Sequence, residues 1–544
     1  MRRILQVFYS IFSSFIFSMA IQNEIIPLGS PFLGLFALVP LYVAVRNANS
    51  YIESALLTGL QVMCVHLMSS FWLGFFRDYA IFTLGASALG TGIIGMCVGC
   101  YLHYPMLQTK TEKSGLYTNG SCVAKRILMF AAIWTLYEWV KSVGFLAYPW
   151  GTLVMTSYKW SLITQIVDIT GTWGISFLFS LFSALVAEGL ALIPVSSKSL
   201  QKNMLWIYSK CGALCIILFL VTGIYGAIQY NITRIPKDYM QTVLVQQDSD
   251  PWESTDEECV TISAALTEKG VQEAIDATKQ KPDLVVWSEA VLSYSFPQAL
   301  SYYEHKPSSM PLIPFIKKTG VPFIIGAPVT IDREKRKFAN SAIYFDSDGQ
   351  YIDYYAKMHL VPFAEIIPGA DSPLVQKLLK KVVGISSGWT PGTEVTLFEI
   401  PLHSGKNVEI GLPICFEDAF PDVCRAMHKA GCEVFVNLTN DSWSRTASAQ
   451  YQHFAIASFR AIEYRTTMVR STNSGYSVVI NPVGKVIADM PLFEKAVLYT
   501  PVPIYHRQHT IYSILGDWIP AICGICVVVF IVINQIKEKK NEHI

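Results

Sequence analysis

The sequence predicts an integral membrane helical bundle with one large α/β domain inserted before its last span. Three observations carry this prediction. The chain of 544 residues is 52% hydrophobic and only 15% charged, with a mean hydropathy of +0.36, too little charged surface for a soluble enzyme of that size. Apolar runs of about 20 residues, the length that crosses a bilayer core, recur from the N-terminus to Ala227. Between Asn231 and Tyr512 that pattern gives way to short β-rich runs ending in polar residues, before one last apolar run.

In chain order the apolar runs are 4–21, 31–45, 55–76, 80–104, 127–146, 172–195, 205–227 and 518–536, about eight spans in all. The second is short and broken by Pro40, since proline disrupts a helix interior. Arg2 and Arg3 place the N-terminus in the cytoplasm. The loops on that same side then carry Arg46, then Lys110, Lys113, Lys125 and Arg126, then Lys198 and Lys202, and finally Lys537, Lys539 and Lys540. The opposite short loops hold little beyond Arg77 and Lys159. This bias follows the positive-inside rule at every loop and puts the large domain outside the cytoplasm. Arg2 and Arg3 before an apolar run also fit a signal peptide, whose removal leaves the remaining topology unchanged.

The net charge of +1 leaves no basic stripe of the kind a nucleic-acid partner requires. Most of the 12 cysteines fall in apolar segments and read as small packing residues. Cys523 and Cys526 form a C-x-x-C inside an apolar helix, without the second ligand pair that a metal site needs. No metal or organic cofactor is expected. The N-x-S/T sequons at Asn119, Asn231, Asn437 and Asn440 read as accidental.

Within the polar segment, β-rich runs include TVLVQQD, LVVWSEA, PFIIGAPV, SAIYFD, VEIGLPICFE, EVFVNLTND and YSVVINP, with helical stretches at 264–279 and 448–466. Strands with apolar cores and polar C-terminal ends suggest a sheet carrying chemistry along one edge. LVVWSEA delivers Glu289, YYAKMHLVPFAE delivers Lys357, and VEIGLPICFE delivers Cys415. A cysteine attacks as the thiolate, which a nearby cation favours. A carboxylate can take the thiol proton and return it to a leaving group. An ammonium, with the N–H following the nucleophile, can hold an oxyanion. Each residue alone also has an ordinary reading: a surface carboxylate, a solvated cation, a buried strand-end thiol.

Taken in order, these motifs resemble the Glu-Lys-Cys triad of the nitrilase superfamily, and within it the apolipoprotein N-acyltransferase branch. WSEA is similar to that family's glutamate motif, YAKMHLVPFAEIIPG to its lysine loop, LPICFED to its nucleophile motif and NLTNDSW to the loop that follows. In the membrane part, YEWVKSVGFLAYPWGTL and VDITGTWGISFL are similar to the family's fifth- and sixth-span signatures. The resemblance covers nearly the whole chain. It implies a nitrilase-like α-β-β-α sandwich for the polar segment. It also implies Glu289 as general base and acid, Lys357 as oxyanion donor and Cys415 as nucleophile. Supporting roles fall on Glu365, Phe416, Glu417 and Trp252. Glu365 would orient Lys357 or share a proton with Glu289, Phe416 would offer its backbone N–H, and Trp252 would give an aromatic contact. Two departures stand out. Phe416 occupies a position where the family usually has tyrosine, and Ala364 one where it usually has glycine.

Other motifs compete for notice. Gly384 to Gly388 spells G-x-S-x-G, but it follows the helix-like, basic LVQKLLKKVV and precedes Trp389-Thr390-Pro391-Gly392, so it lacks the strand-to-helix setting of a serine elbow. Asp418 and His453 would be its triad partners. Leu374, Leu378, Leu379, Val382 and Val383 form a candidate interfacial helix face, beside Lys377, Lys380 and Lys381. His359 reads as a structural or solvated histidine.

The expected organisation is a membrane domain over 1–229, an extracytoplasmic catalytic domain over 230–512, and a last span with a cytoplasmic tail over 513–544. The resemblance implies transfer of a fatty acyl chain from membrane phospholipid to the α-amino group of a diacylglyceryl-modified N-terminal cysteine of apolipoproteins. The route would be a cysteine thioester at the bacterial inner membrane. Two other readings remain at this point: a membrane-tethered amidase that hands the acyl group to water, and a transporter or scaffold with an inactive domain.

Overall fold

The computed structural model describes residues 2–76, 80–108, 121–144, 146–192, 198–362, 364–366 and 388–542. The chain divides into two compact units, Met1–Ile232 with Ile514–Ile544, and Thr233–Ser513.

The first unit is helical. Every expected span contains a helix, and six helices among the described residues are long and apolar enough to cross a membrane: Arg2–Ala20, Tyr51–Ser69, Thr83–Leu107, Trp173–Leu192, Met204–Asn231 and Trp518–Lys540. Around Pro40 the second run splits into the helices Pro31–Phe36 and Val39–Arg46. Ser121–Lys141 is of similar length but carries Lys125, Arg126, Glu138 and Lys141. It stops short of the expected end at 146 because the chain turns there. Lys141 Nζ donates to the carbonyls of Trp150 (2.6 Å) and Gly151 (3.2 Å), and so closes the turn.

The charges inside this unit are each held locally. Glu188 accepts from Tyr42 Oη (2.6 Å), Arg46 Nε (3.0 Å) and Arg126 Nε and Nη2 (both 2.8 Å). Glu138 accepts from Trp134 Nε1 (3.1 Å), the Leu153 N–H (2.8 Å) and the Ser176 hydroxyl. Asp168 accepts from the Tyr225 hydroxyl. Such saturation is how a buried carboxylate avoids the cost of an unpaired charge.

The second unit is an α-β-β-α sandwich. One six-stranded sheet runs β12-β1-β2-β3-β4-β5, and the other runs β11-β10-β9-β8-β7-β6. The first contains β1 (Asp238–Gln246), β2 (Leu284–Val286), β3 (Phe323–Asp332), β4 (Lys337–Phe345), β5 (Tyr351–Ala356) and β12 (Ala496–Ile504). The second contains β6 (Leu397–Pro401), β7 (Asn407–Gly411), β8 (Val434–Thr439), β9 (Thr467–Thr472), β10 (Val478–Ile480) and β11 (Val486–Asp489). The pairs β1–β2, β2–β3, β7–β8 and β8–β9 are parallel, so the polar ends of those strands gather at one end of each sheet.

Helix Asp256–Thr278 packs on the first sheet, and Pro421–Ala430 and Ala447–Tyr464 belong to the second. The first of these begins earlier than the expected 264 because Thr255 and Glu258 form a reciprocal capping box that satisfies two otherwise unpaired N–H groups. The sheets meet through hydroxyls of β9: Ser471 donates to Val286 O (3.2 Å) and Thr467 to Pro503 O (2.6 Å). The apolar core of the first layer includes Val243, Val285, Trp287, Phe296, Phe323, Ile325 and Ile343.

Candidate active site

Three chain reversals carry the candidate groups. Glu289 follows β2, and Gly326 of β3 lets the chain pass close by. A Cβ at Gly326 would lie 2.5 Å from Glu289 Cα and from Ala290 N, so no larger residue fits without displacing the glutamate. Lys357 follows β5, where its N–H donates to the Asn340 carbonyl of β4 (2.8 Å). Cys415 follows β7 in a short 3₁₀ turn, Cys415–Ala419, with φ of +50°. A non-glycine residue in that region holds backbone strain of about 1–2 kcal/mol, which surrounding contacts must offset.

The side chains converge. Lys357 Nζ donates to Glu289 Oε1 (3.1 Å) and Glu365 Oε1 (2.9 Å). Asn340 Nδ2 donates to the same two oxygens (2.7 and 3.0 Å). The second oxygen of each carboxylate is held by backbone: Glu289 Oε2 by the Asn440 N–H (2.9 Å) and Glu365 Oε2 by the Val361 N–H (2.7 Å). One cation thus serves two carboxylates and faces the Cys415 thiol. Lys357 is fully buried and Glu289 nearly so, whereas Cys415 keeps partial exposure.

The protonation pattern follows from this geometry. Burial pushes the Glu289 carboxyl above its ordinary range, with Lys357 pulling it back and Glu365 adding to the push. Burial opposes the Lys357 charge, yet Glu289 and Glu365 outweigh it and hold the ammonium well above its usual value. Burial, reinforced by Glu289, raises the Cys415 thiol well above its ordinary value, and Lys357 opposes that rise. At rest the site therefore holds an ammonium and a neutral thiol, next to a carboxyl with raised proton affinity. Such a set can pass a proton from sulfur to carboxylate and then stabilise a new oxyanion.

Glu417 braces the site from beneath. Its Oε1 accepts from the N–H groups of Met358 (2.6 Å) and His359 (3.0 Å), and its Oε2 from the Ile414 N–H (2.7 Å). The Tyr355 hydroxyl donates to both oxygens. One fully buried carboxylate therefore ties the residues after Lys357 to the residue before Cys415. Burial pushes its pKa up to about 7, against the pull of those backbone donors. Phe416 is buried, with its ring 4.7 Å from that of Phe420, against which His359 also stacks.

Of the expected site residues, Glu289, Lys357, Cys415 and Glu365 form the cluster, with Glu417 and Phe416 adjoining it. Trp252 lies in the turn after β1, with 40% of its surface exposed. Asn340 and Asn440 were not anticipated. A lone asparagine amid the apolar residues of β4 was the only trace of the first. His359 pairs with Asp422 (3.2 Å) rather than with the thiol. Asp418 and His453 bond each other (2.8 Å). Residues 384–387 of the serine motif, its serine included, and the apolar face over 374–383 lie outside the described residues. Among the described residues no group of three or more His, Cys, Asp or Glu side chains could hold a metal ion.

Comparison with known proteins bears on both units. Residues 242–512 match the carbon-nitrogen hydrolase family, and residues 14–185 match the apolipoprotein N-acyltransferase N-terminal domain. Apolipoprotein N-acyltransferase 2 of Treponema denticola is 45% identical, covering 99% of each chain. Its counterpart in Treponema pallidum is 39% identical over 94% of this chain and 92% of its own. The apolipoprotein N-acyltransferase of Borreliella burgdorferi is 30% identical over 98% and 96%.

Proposed function

The chain belongs to the apolipoprotein N-acyltransferase family of membrane proteins, and on that premise we propose that it N-acylates apolipoproteins through a thioester on Cys415. The observation that carries the mechanism is the buried Lys357 ammonium shared by Glu289 and Glu365 beside the Cys415 thiol. The donor is a membrane phospholipid. The acceptor is the α-amino group of a diacylglyceryl-modified N-terminal cysteine. Residues 1–229 form the membrane domain, 230–512 the catalytic domain on the periplasmic side of a bacterial inner membrane, and 513–544 the last span and cytoplasmic tail.

The reaction runs in two halves. Glu289 takes the Cys415 proton as sulfur attacks the ester carbonyl of the phospholipid. Lys357 and the Phe416 N–H hold the oxyanion. Its collapse breaks the ester C–O bond, and the departing lysophospholipid takes the proton from Glu289. The acceptor amine then attacks the thioester and gives one proton to Glu289. The C–S bond breaks, and the proton returns to the Cys415 sulfur. Glu365 and Asn340 fix Lys357 and Glu289 in register. Trp252, with 40% of its surface exposed, supplies the aromatic contact to substrate in this reading. Exclusion of water is what separates this outcome from simple hydrolysis.

Intact mass after incubation with phospholipid tests the reading. The wild-type chain is expected to gain a fatty-acyl mass that hydroxylamine removes, and Cys415→Ser is expected to gain none. Addition of a diacylglyceryl peptide should discharge the adduct into an amide. Discharge into free fatty acid alone would make the protein a hydrolase, and no adduct on the wild-type chain would end the thioester scheme.

A further inference from the structure

A second buried network lies behind Cys415, and the reaction just described does not use it. His453 sits between two aspartates, with Nδ1 2.7 Å from Asp441 Oδ2 and Nε2 2.8 Å from Asp418 Oδ1. Arg470 pairs with Asp418, and its Nη2 lies 4.0 Å from Asp441 Oδ2. The side chains of His453, Asp418 and Arg470 are buried, and that of Asp441 keeps 11% of its surface exposed. Because both ring nitrogens face carboxylates, both carry protons, and the quartet of two cations and two anions is neutral. Despite burial, which opposes its charge, the two aspartates push the His453 pKa up to about 9.

A charge-balanced quartet alone would be ordinary packing. Two of its contacts reach the reaction centre. His453 Nε2 also lies 3.3 Å from the carbonyl oxygen of Cys415, to which Asn437 Nδ2 donates at the same distance. Asp441 directly follows Asn440, whose N–H holds Glu289. The carbonyl of Cys415 and the N–H of Phe416 belong to one planar trans peptide and point in opposite directions. Anchoring the oxygen therefore aims the N–H. Cys415 needs such an anchor, because its left-handed conformation is one that an unrestrained cysteine rarely keeps.

We infer that His453, clamped by Asp418 and Asp441, is a positioning residue that together with Asn437 aims the Phe416 N–H at the developing oxyanion. The inference rests on the thioester reading above. It assigns His453 no proton transfer and no contact with substrate.

The test separates oxyanion chemistry from thiol reactivity, using the full chain in mixed micelles of detergent and phosphatidylethanolamine. Two rates are compared: acylation of Cys415 by the phospholipid, and its alkylation by chloroacetamide read by peptide mass. Alkylation needs the same sulfur but builds no oxyanion. In His453→Phe, which removes the donor but keeps a ring, the ratio of acylation to alkylation should fall about 100-fold. His453→Gln, which can still donate to the Cys415 carbonyl, should recover at least tenfold of that loss. Asn437→Ala removes the companion donor, and should lower the ratio at least tenfold even where the histidine variants do not fold. Acylation and alkylation falling together in the folded variants would overturn the assignment and leave His453 a packing residue. Failure of the wild-type chain to acylate, with alkylation intact, would instead count against the thioester reading itself.

Discussion

Both units bury glutamate against cations, yet the two clusters are built to opposite ends. In the membrane unit one carboxylate, Glu188, collects four donor contacts from Arg46, Arg126 and Tyr42. Cations outnumber the anion, every oxygen is saturated, and no proton has anywhere to go. In the sandwich, one ammonium serves Glu289 and Glu365 beside a neutral thiol. Anions outnumber the cation there, which leaves a proton to be contested. Burial of charge is common to both, so burial alone does not mark a reactive site. What sets the sandwich cluster apart is the sign of its charge imbalance and the partly exposed thiol beside it.

The comparison can be broken at either cluster. The largest effect is expected from Lys357→Met, which leaves two carboxylates facing each other and removes the proposed oxyanion donor. Acylation should fall by about 10³-fold, with the protein still folded at neutral pH because Glu289 takes up a proton. Loss of less than tenfold in a single-turnover assay would show that Lys357 is not an oxyanion donor. Glu188→Gln is the converse. It removes the charge that faces the buried Arg126 guanidinium and the partly buried one of Arg46, and should cost about 3 kcal/mol of stability. Turnover per folded molecule should stay within about twofold. A thermal melt in micelles with parallel active-site titration reads both, and a drop in turnover at unchanged stability would give the membrane cluster a functional role. Smallest of all is Phe416→Tyr. The ring is buried against Phe420 and the N–H is untouched, so acylation should change by no more than about threefold. A larger change would mean that the side chain at this position takes part as well as its backbone.

The groups of the reactive cluster differ in how visible they were in the sequence. Glu289 and Cys415 stood at the polar ends of apolar runs, where a strand hands its last residue to the sheet edge, and Lys357 stood in a loop that follows a strand. The supports were not visible in that way. Asn340 lies inside β4 and acts across to β5 and to the segment after it. Asn440 acts through an N–H that every residue but proline has. In the sequence His453 and Asp418 stand out only as would-be partners of a serine motif that lacks its setting, because residue types alone cannot say which buried charges will meet. In the membrane unit the apolar runs were plain, but the exit from Ser121–Lys141 was set late. Lys141 bonds carbonyls beyond the turn, a contact that hydropathy does not register.

The Glu417 brace has a consequence for how this chain tolerates change. Apart from the Tyr355 hydroxyl, its partners are the amide hydrogens of Met358, His359 and Ile414, not their side chains. Any residue except proline supplies the same hydrogen. Substitution at the partly buried Met358 and His359 therefore leaves the bonds from Glu417 in place, whereas fully buried Ile414 is held by its packing as well. The brace thus separates what holds these two segments together, amide hydrogens that almost any sequence supplies, from what their side chains can vary.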